Sequence, residues 1–519
     1  AGIVPVEQTP DGRKTSQKVG LALGPFLFAL TLLMDLDPSN PSVTRMAAVA
    51  VLMATWWITD AIPLSGTALL PLVLYPLLGI MKTRECAPIY VNSTIFLFVG
   101  GFMIAVTMEK WRLHKRIALW IIRRIGGGPS RIILGFMVAA AFLSMWISNT
   151  ATAIMMVPIA MAIILQLEEK FGTRACHDFT VALMLGIAYA CSLGGMATLV
   201  GTPPNLSFAR IFEISFPEAE SIAFGQWLVM AFPITLVLLT IVWLLLTRLF
   251  FRFGKSFEVD YEVVKREYAA LGRMTFEEGA VLTVFAATAF GWVFRKDLML
   301  GLLTIPGWSR LLPHADLVDD ATVAIGMAMI LFFIPTRSDN AGSRMVMGVD
   351  VFARIPWHIV LLFGGGFALA QGFRVTGLSG LIGTRFAGLG EVPPYAMITL
   401  VCGGLTFLTE LTSNTATTEM ILPILASVAV AMKVNPLLLM IPATLSASCA
   451  FMMPVATPPN AIIFGSGRLK IVEMARVGLA INLIGVLVIS LVFYFVGTAV
   501  LGIDPAAFPA WAEAGSNLE

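Results

Sequence analysis

The tetrapeptide Ser-Asn-Thr-Ala occurs twice in this chain, at Ser148–Ala151 and Ser413–Ala416, each time within strongly apolar sequence. The copies continue alike, as SNTATAIMMVP and SNTATTEMILP. Small polar side chains inside a membrane are costly unless they bind something or find protein partners. A duplicated polar tip therefore restricts the chain to a membrane fold in which two halves build one site.

Composition supports the bilayer as solvent. The 519 residues are 58% hydrophobic and 13% charged, with mean hydropathy +0.86, whereas soluble domains carry about 25% charged residues. Apolar stretches recur at Val19–Leu36, Met46–Ile62, Trp227–Leu249, Leu282–Val293 with its flanks, Ala321–Ile334 and Leu479–Val500. Each is near the roughly 20 residues that a spanning helix needs. The first has no small-residue cleavage site after it and reads as a span. The net charge of +2 sits in short loops and points to no nucleic acid. The five cysteines form no CxxC pair, so neither a disulfide framework nor a metal site is expected.

Landmarks of the first half return in the second. Gly100-Gly101-Phe102 matches Gly365-Gly366-Phe367, Ser144 matches Thr409, and Asn149 matches Asn414, all at a spacing of 265. Gly201-Thr202-Pro203-Pro204-Asn205 matches Ala456-Thr457-Pro458-Pro459-Asn460 at 255. Ordered matches of this kind mark a duplication. Basic loops orient the halves. Arg13, Lys14 and Lys18, the stretch Trp111–Arg124, the six basic residues of Arg248–Arg273, and Arg468, Lys470 and Arg476 are placed in the cytoplasm. Leu311–Asp320, with three aspartates and no Lys or Arg, is placed outside. An odd number of crossings then separates equivalent landmarks, so the repeats are expected to be inverted.

The expected organisation is all-α. Residues 1–18 form a cytoplasmic tail and 19–252 the first inverted repeat. A re-entrant hairpin at 129–168, with two half-length arms, and a broken helix at 201–205 lie within it. A cytoplasmic linker follows at 253–274. The second repeat, 275–502, has its hairpin at 393–433 and its break at 456–460, and 503–519 form an external tail. Glu109–Arg124 has helical apolar spacing with basic residues elsewhere, which fits an interfacial collar on the inner leaflet. Arg374–Leu389 would be its outer equivalent. Consecutive prolines in the Thr-Pro-Pro-Asn segments break a helix and leave carbonyls and a helix N-terminus free. Carbonyls suit a hard cation such as Na⁺, and the N-terminus suits an anion. The nearest Arg or Lys residues to the two tips are Arg131, Lys170, Arg385 and Lys433. Without a protein cation at hand, bound Na⁺ would neutralise a divalent anion in low dielectric. Glu410, in TFLTELTSNT, stands where the first half has Met145. It is either a titratable group or a carboxylate held by hydrogen bonds from the hairpin backbone.

With these segments in view, SMWISNTATAIMMVP, GTPPN, LTELTSNTATTEMILP and SCAFMMPVATPPNAIIFGSG resemble the divalent anion/sodium symporter family over nearly the whole chain. The resemblance implies a homodimer in the plasma (inner) membrane, N-terminus cytoplasmic and C-terminus external. Each protomer would have about eleven transmembrane helices and two opposed hairpins, divided into scaffold and transport domains that work as an elevator. It implies Na⁺ as coupling ion and a di- or tricarboxylate as substrate, in contact with membrane lipid. By position, the substrate site would comprise Ser148, Asn149, Thr150, Ser413, Asn414 and Thr415, edged by Thr202 and Thr457. One sodium site would use Ser144, Ser148, Asn149 and Gly201; the other would use Thr409, Thr412, Asn414 and Ala456. The resemblance also implies carboxylates over sulfate, since family members that carry sulfate tend to depart from the intact Ser-Asn-Thr pattern. The Glu258–Ala270 loop and Leu298–Leu312 insert carry no motif.

Other readings stay open at this level. A sodium-independent dicarboxylate exchanger would show flux with substrate on both sides and no Na⁺. A proton-coupled carrier would use Glu410. An enzyme is not indicated, since the chain has no HExxH, GxSxG or phosphate loop, and Gly254-Lys255-Ser256 lacks the earlier glycine.

Overall fold

The computed structural model describes residues 14–253, 262–300, 303–338, 344–386 and 392–513, which are mostly helical. Among them nine helical segments are long and apolar enough to cross a membrane, which makes the chain a polytopic membrane protein. Helix ends follow local chemistry. Helix α1, Thr15–Leu32, packs on α2, Pro41–Thr59. The latter opens with Pro41 at its first position and the Asn40 side chain accepting the Ser42 N–H, and it stops at Asp60 in the left-handed region. Gly20 and Gly24 leave no room for a Cβ beside Thr59 and Trp56, so the two helices approach closely.

Beyond short helical turns within residues 64–90 come seven helices: α3 Ser93–Lys110, α4 Leu113–Ile125, α5 Pro129–Ser144, α6 Asn149–Phe171, α7 Thr173–Met196, α8 Pro203–Ser215 and α9 Phe224–Leu244. After α10, Glu262–Ala270, α11, Phe276–Val293, and α12, Asp320–Phe333, the same order returns. It runs through α13 Trp357–Thr376, α14 Leu378–Phe386, α15 Pro394–Thr409, α16 Asn414–Ala431, α17 Leu437–Ala447, α18 Pro458–Gly465 and α19 Ile471–Val492. Helices α9 and α19 both run into a π-helical turn, Leu245–Phe250 and Phe493–Gly497. Helices α5 and α15 have 16 residues each and open on proline.

Helix α7 forms the centre. Its most apolar stretch is wholly buried, and Gly194 leaves no space for a Cβ against the Ala141 backbone of α5. The paired glycines of the repeat serve the same purpose at two places. Gly100 of α3 meets Ala324 of α12, and Gly365 of α13 meets Ala68.

Four expectations need correction. The hairpin arms are unequal, because Glu168-Glu169-Lys170 continue the helix and α6 reaches 23 residues before Gly172, at φ 83°, ends it. Glu258–Ala270 is not a loop: residues 262–270 are α10, which packs on α4 through buried Val264, while 258–261 lie outside the described residues. The insert after α11 adds an antiparallel pair of short strands, β1 Leu298–Leu300 with β2 Leu303–Ile305. Helix α4 is anchored in the protein rather than only resting on lipid. Arg116 is buried and forks onto Glu278 of α11 at 3.0 Å through both Nε and Nη2. It also donates to the carbonyls of Leu271 and Gly272. The hydrogen-bonded Glu278 carboxylate pushes this guanidinium still further up. Of the outer collar, 378–386 form α14, packed on α16, and 387–391 lie outside the described residues. Most of the 1–18 tail and the end of the 503–519 tail also lie outside them.

Candidate functional site

Each Ser-Asn-Thr motif is the start of a helix. Ser148 and Ser413 cap α6 and α16, accepting the N–H groups of Ala151 and Ala416 at 3.2 and 3.5 Å. Asn149 and Asn414 follow at the first helical position, with Thr150 and Thr415 half-buried behind them. A small polar run in apolar sequence thus ends one helix and caps the next.

Behind each tip is a knot of oxygens. Ser144, at the end of α5, bonds to Asn149 Oδ1 and, at 2.7 Å, to the Cys191 carbonyl. Thr409, at the end of α15, bonds to Asn414 Oδ1 at 2.5 Å and to the Ala447 carbonyl at 3.0 Å. A hydroxyl has one proton to give. Each hydroxyl is therefore shared between two acceptor oxygens, and an oxygen-rich setting of this kind suits a hard cation. In the first knot the backbone carbonyl of Gly201 is also close. A Cβ on Gly195 would stand 2.7 Å from Asn149 Oδ1 and 3.1 Å from that carbonyl. Thr412 is set differently, its hydroxyl bonding to the Leu408 carbonyl and the Thr417 hydroxyl.

The helix breaks are braced alike. Asn205 Nδ2 donates to the carbonyls of Gly195, Met196 and Thr198. Asn460 Nδ2 donates to those of Ala450 and Met453, at the 255 spacing from Gly195 and Thr198. Thr202 and Thr457 are the buried caps of α8 and α18, and Thr457 accepts the Asn460 N–H at 3.4 Å. Helix α8 packs on α16, and α18 packs on α6. Each half's broken helix thus lies against the other half's motif-bearing arm, which joins both halves in one region.

Glu410 holds that region together. Its carboxylate accepts the N–H groups of Phe451, Met452 and Met453 at 2.6, 2.8 and 3.0 Å, and Asn482 Nδ2 at 2.7 Å. The donors come from the α17–α18 break and from α19, not from the hairpin backbone. In the first half the corresponding tie is made by the Met145 carbonyl, which accepts Thr198 Oγ1 at 2.5 Å. The cations that follow the breaks are occupied elsewhere, Arg210 with Glu213 at 3.0 Å and Arg468 with Glu168 at 2.5 Å.

Several participants carry no signal in sequence. The carbonyls of Cys191 and Ala447 are backbone groups, and any residue supplies one. Gly195 was within reach, since a Gly-Gly pair in a buried helix marks close approach.

The profile of the sodium:sulfate symporter transmembrane region matches residues 26–502. A protein of Staphylococcus saprophyticus named sodium-dependent dicarboxylate transporter SdcS is 42% identical over 495 residues, 94% of this chain and 93% of its own length. A Staphylococcus aureus protein of the same name is 42% identical over 496 residues, with the same coverage. Among solved structures, the Alcanivorax borkumensis YdaH transporter aligns with TM-score 0.51 and 14% identity, over 79% of this chain and 86% of that one. Neisseria gonorrhoeae MtrF aligns with TM-score 0.53 and 11% identity, over 79% and 82%. The two structures share the fold, while the family profile and the sequence relatives go further: the chain belongs to the sodium:sulfate symporter family of membrane transporters.

Proposed function

We propose that the chain imports dicarboxylates of the succinate, malate and fumarate class, with citrate as a further candidate, driven by Na⁺. The observation that carries this is the twin oxygen knot, Ser144–Asn149–Cys191 and Thr409–Asn414–Ala447, each placed directly behind a helix N-terminus. The clustered oxygens suit Na⁺ on the inner side of each tip. The capped N-termini suit carboxylates on the other. Ser144, Ser148, Asn149 and Gly201 would hold one ion, and Thr409, Thr412, Asn414 and Ala456 the other. Ser148, Asn149, Thr150, Ser413, Asn414 and Thr415 would face the substrate, with Thr202 and Thr457 at its edge. Each asparagine then touches ion and substrate together, which makes binding of one depend on the other.

In this reading the two halves are inverted repeats, α5–α6 and α15–α16 are re-entrant hairpins, and a transport domain moves as an elevator against a scaffold in a homodimer of the inner membrane. The four donors on Glu410 support a structural pin over a proton carrier at that residue. Labelled succinate uptake into proteoliposomes, with and without an inward Na⁺ gradient, tests the proposal. Concentrative uptake that requires Na⁺ is expected. Uptake indifferent to Na⁺ but dependent on internal dicarboxylate would make the chain an exchanger.

A further inference from the structure

Glu419 on α16 has no place in the site above, yet it is fully buried. It lies where α8, α13 and α16 meet. Its Oε1 accepts the Ser207 hydroxyl of α8, and its Oε2 has no hydrogen-bond partner among the described residues. Oε2 rests against Gly366 of α13, where a Cβ would overlap it. The repeat shows how unusual this is. At the spacing of 265 the counterpart of Glu419 is Ile154, which is exposed, and at 255 the counterpart of Ser207 is Ile462. Both members of the polar contact thus replace isoleucines of the other half.

An ionised carboxylate has about four lone-pair positions to satisfy, and a buried one without them is strongly disfavoured. Glu410 shows what satisfaction requires in this fold: four donors. Glu419 has one. No cation makes up the difference. The charged or titratable groups on the elements packed around α16 are Arg210 and Glu213 on α8, His358 and Arg374 on α13, Arg385 on α14, Arg45 on α2, and Tyr395 and Cys402 on α15. Arg210 pairs with Glu213, Arg374 reaches the Ile214 carbonyl and Arg45 the Leu78 carbonyl. None of the eight bonds to Glu419 among the described residues.

We propose that Glu419 is a proton-binding site: α8, α13 and α16 close on its protonated side chain, and separation of α13 from the other two releases the proton to water. Proton binding is independent of the transport reading, whereas its coupling to movement rests on that reading. The site lies apart from the oxygen knots and takes a different ion.

Melting of the purified full chain in detergent, without substrate, tests binding directly. The folded state holds one proton that the unfolded chain has lost above the ordinary carboxylate range, so its folding equilibrium weakens about tenfold per pH unit. The wild-type melting temperature is expected to fall relative to Glu419→Gln from pH 5.5 to 8.5. A difference that is constant with pH, or that follows Na⁺ instead, overturns the proposal. Ser207→Ala gives a second reading, because it removes the one donor the ionised form has. Its falling limb is expected to extend to higher pH than that of the wild type, and an unchanged limb counts against a proton at this site. Coupling is read from Na⁺-driven succinate uptake as the ratio of Glu419→Gln to wild type, in which titration of the substrate cancels. A ratio that changes with pH supports coupling, and a flat ratio overturns it even where melting shows the proton.

Discussion

Truncating Asn149 or Asn414 to alanine removes an amide that belongs to the oxygen knot and that, in the proposed reading, also meets the substrate. Each change is expected to reduce Na⁺-driven uptake to background while the protein still folds, since the capping serines and the neighbouring helices remain. Uptake near the wild-type level in either variant would remove the assigned site. Gly195→Ala is a finer probe. Its Cβ would stand 2.7 Å from Asn149 Oδ1, so the amide must yield. Apparent Na⁺ affinity is expected to fall by about tenfold, equivalent to about 1.4 kcal/mol of lost cation contact. Na⁺ titrations of uptake at saturating succinate check this, and an unchanged half-saturation would separate Gly195 from the ion. At this scale side chains were legible and backbone was not. Ser144, Asn149, Thr409 and Asn414 stand out as polar residues in apolar sequence. The carbonyls of Cys191 and Ala447 belong to residues whose side chains say nothing about the knot. Thr412 carries the right group, but its hydroxyl is turned to Thr417.

Elements show why pattern alone stops short. The helical spacing of Leu113, Ile117, Trp120 and Ile121 makes α4 legible as amphipathic, and it cannot tell a lipid-facing arginine from one buried under a neighbour. Arg116 is buried because residues 271–273 and α11 cover it, and those lie more than 150 residues further along the chain. Replacing one member of such a pair leaves the other charge buried, a cost of about 3–5 kcal/mol. Arg116→Gln is therefore expected to lower the melting temperature markedly while the surviving protein keeps its apparent succinate affinity. A shift in affinity without loss of stability would instead tie α4 to the site. The proline-rich breaks were more legible, because two consecutive prolines leave a helix few options. What remained hidden there was the pinning of the second break by Glu410, which joins residues 41 to 72 positions apart.

For the whole molecule, the recurrence of α3–α9 as α13–α19 is compatible with either parallel or inverted halves, and basic loops argue for inversion. Lys170 and Lys433 lie at corresponding ends of the second hairpin arms, and both are exposed. All five native cysteines are free and buried, which keeps background labelling low. In intact cells, Lys433→Cys is expected to react with a membrane-impermeant maleimide from outside, and Lys170→Cys only after permeabilisation. Parallel halves would place both positions on the same side, so labelling of both in intact cells, or of neither until permeabilisation, would exclude inversion. The outcome also bears on how the site works. Only inverted halves give each face of the membrane one hairpin, so that the same two oxygen knots can be approached from either side by related movements. Packing of α8 on α16 and of α18 on α6 would keep both knots within one body during such movements. An ion held behind each tip would then travel with the substrate instead of crossing separately, which is what strict coupling between Na⁺ and dicarboxylate requires.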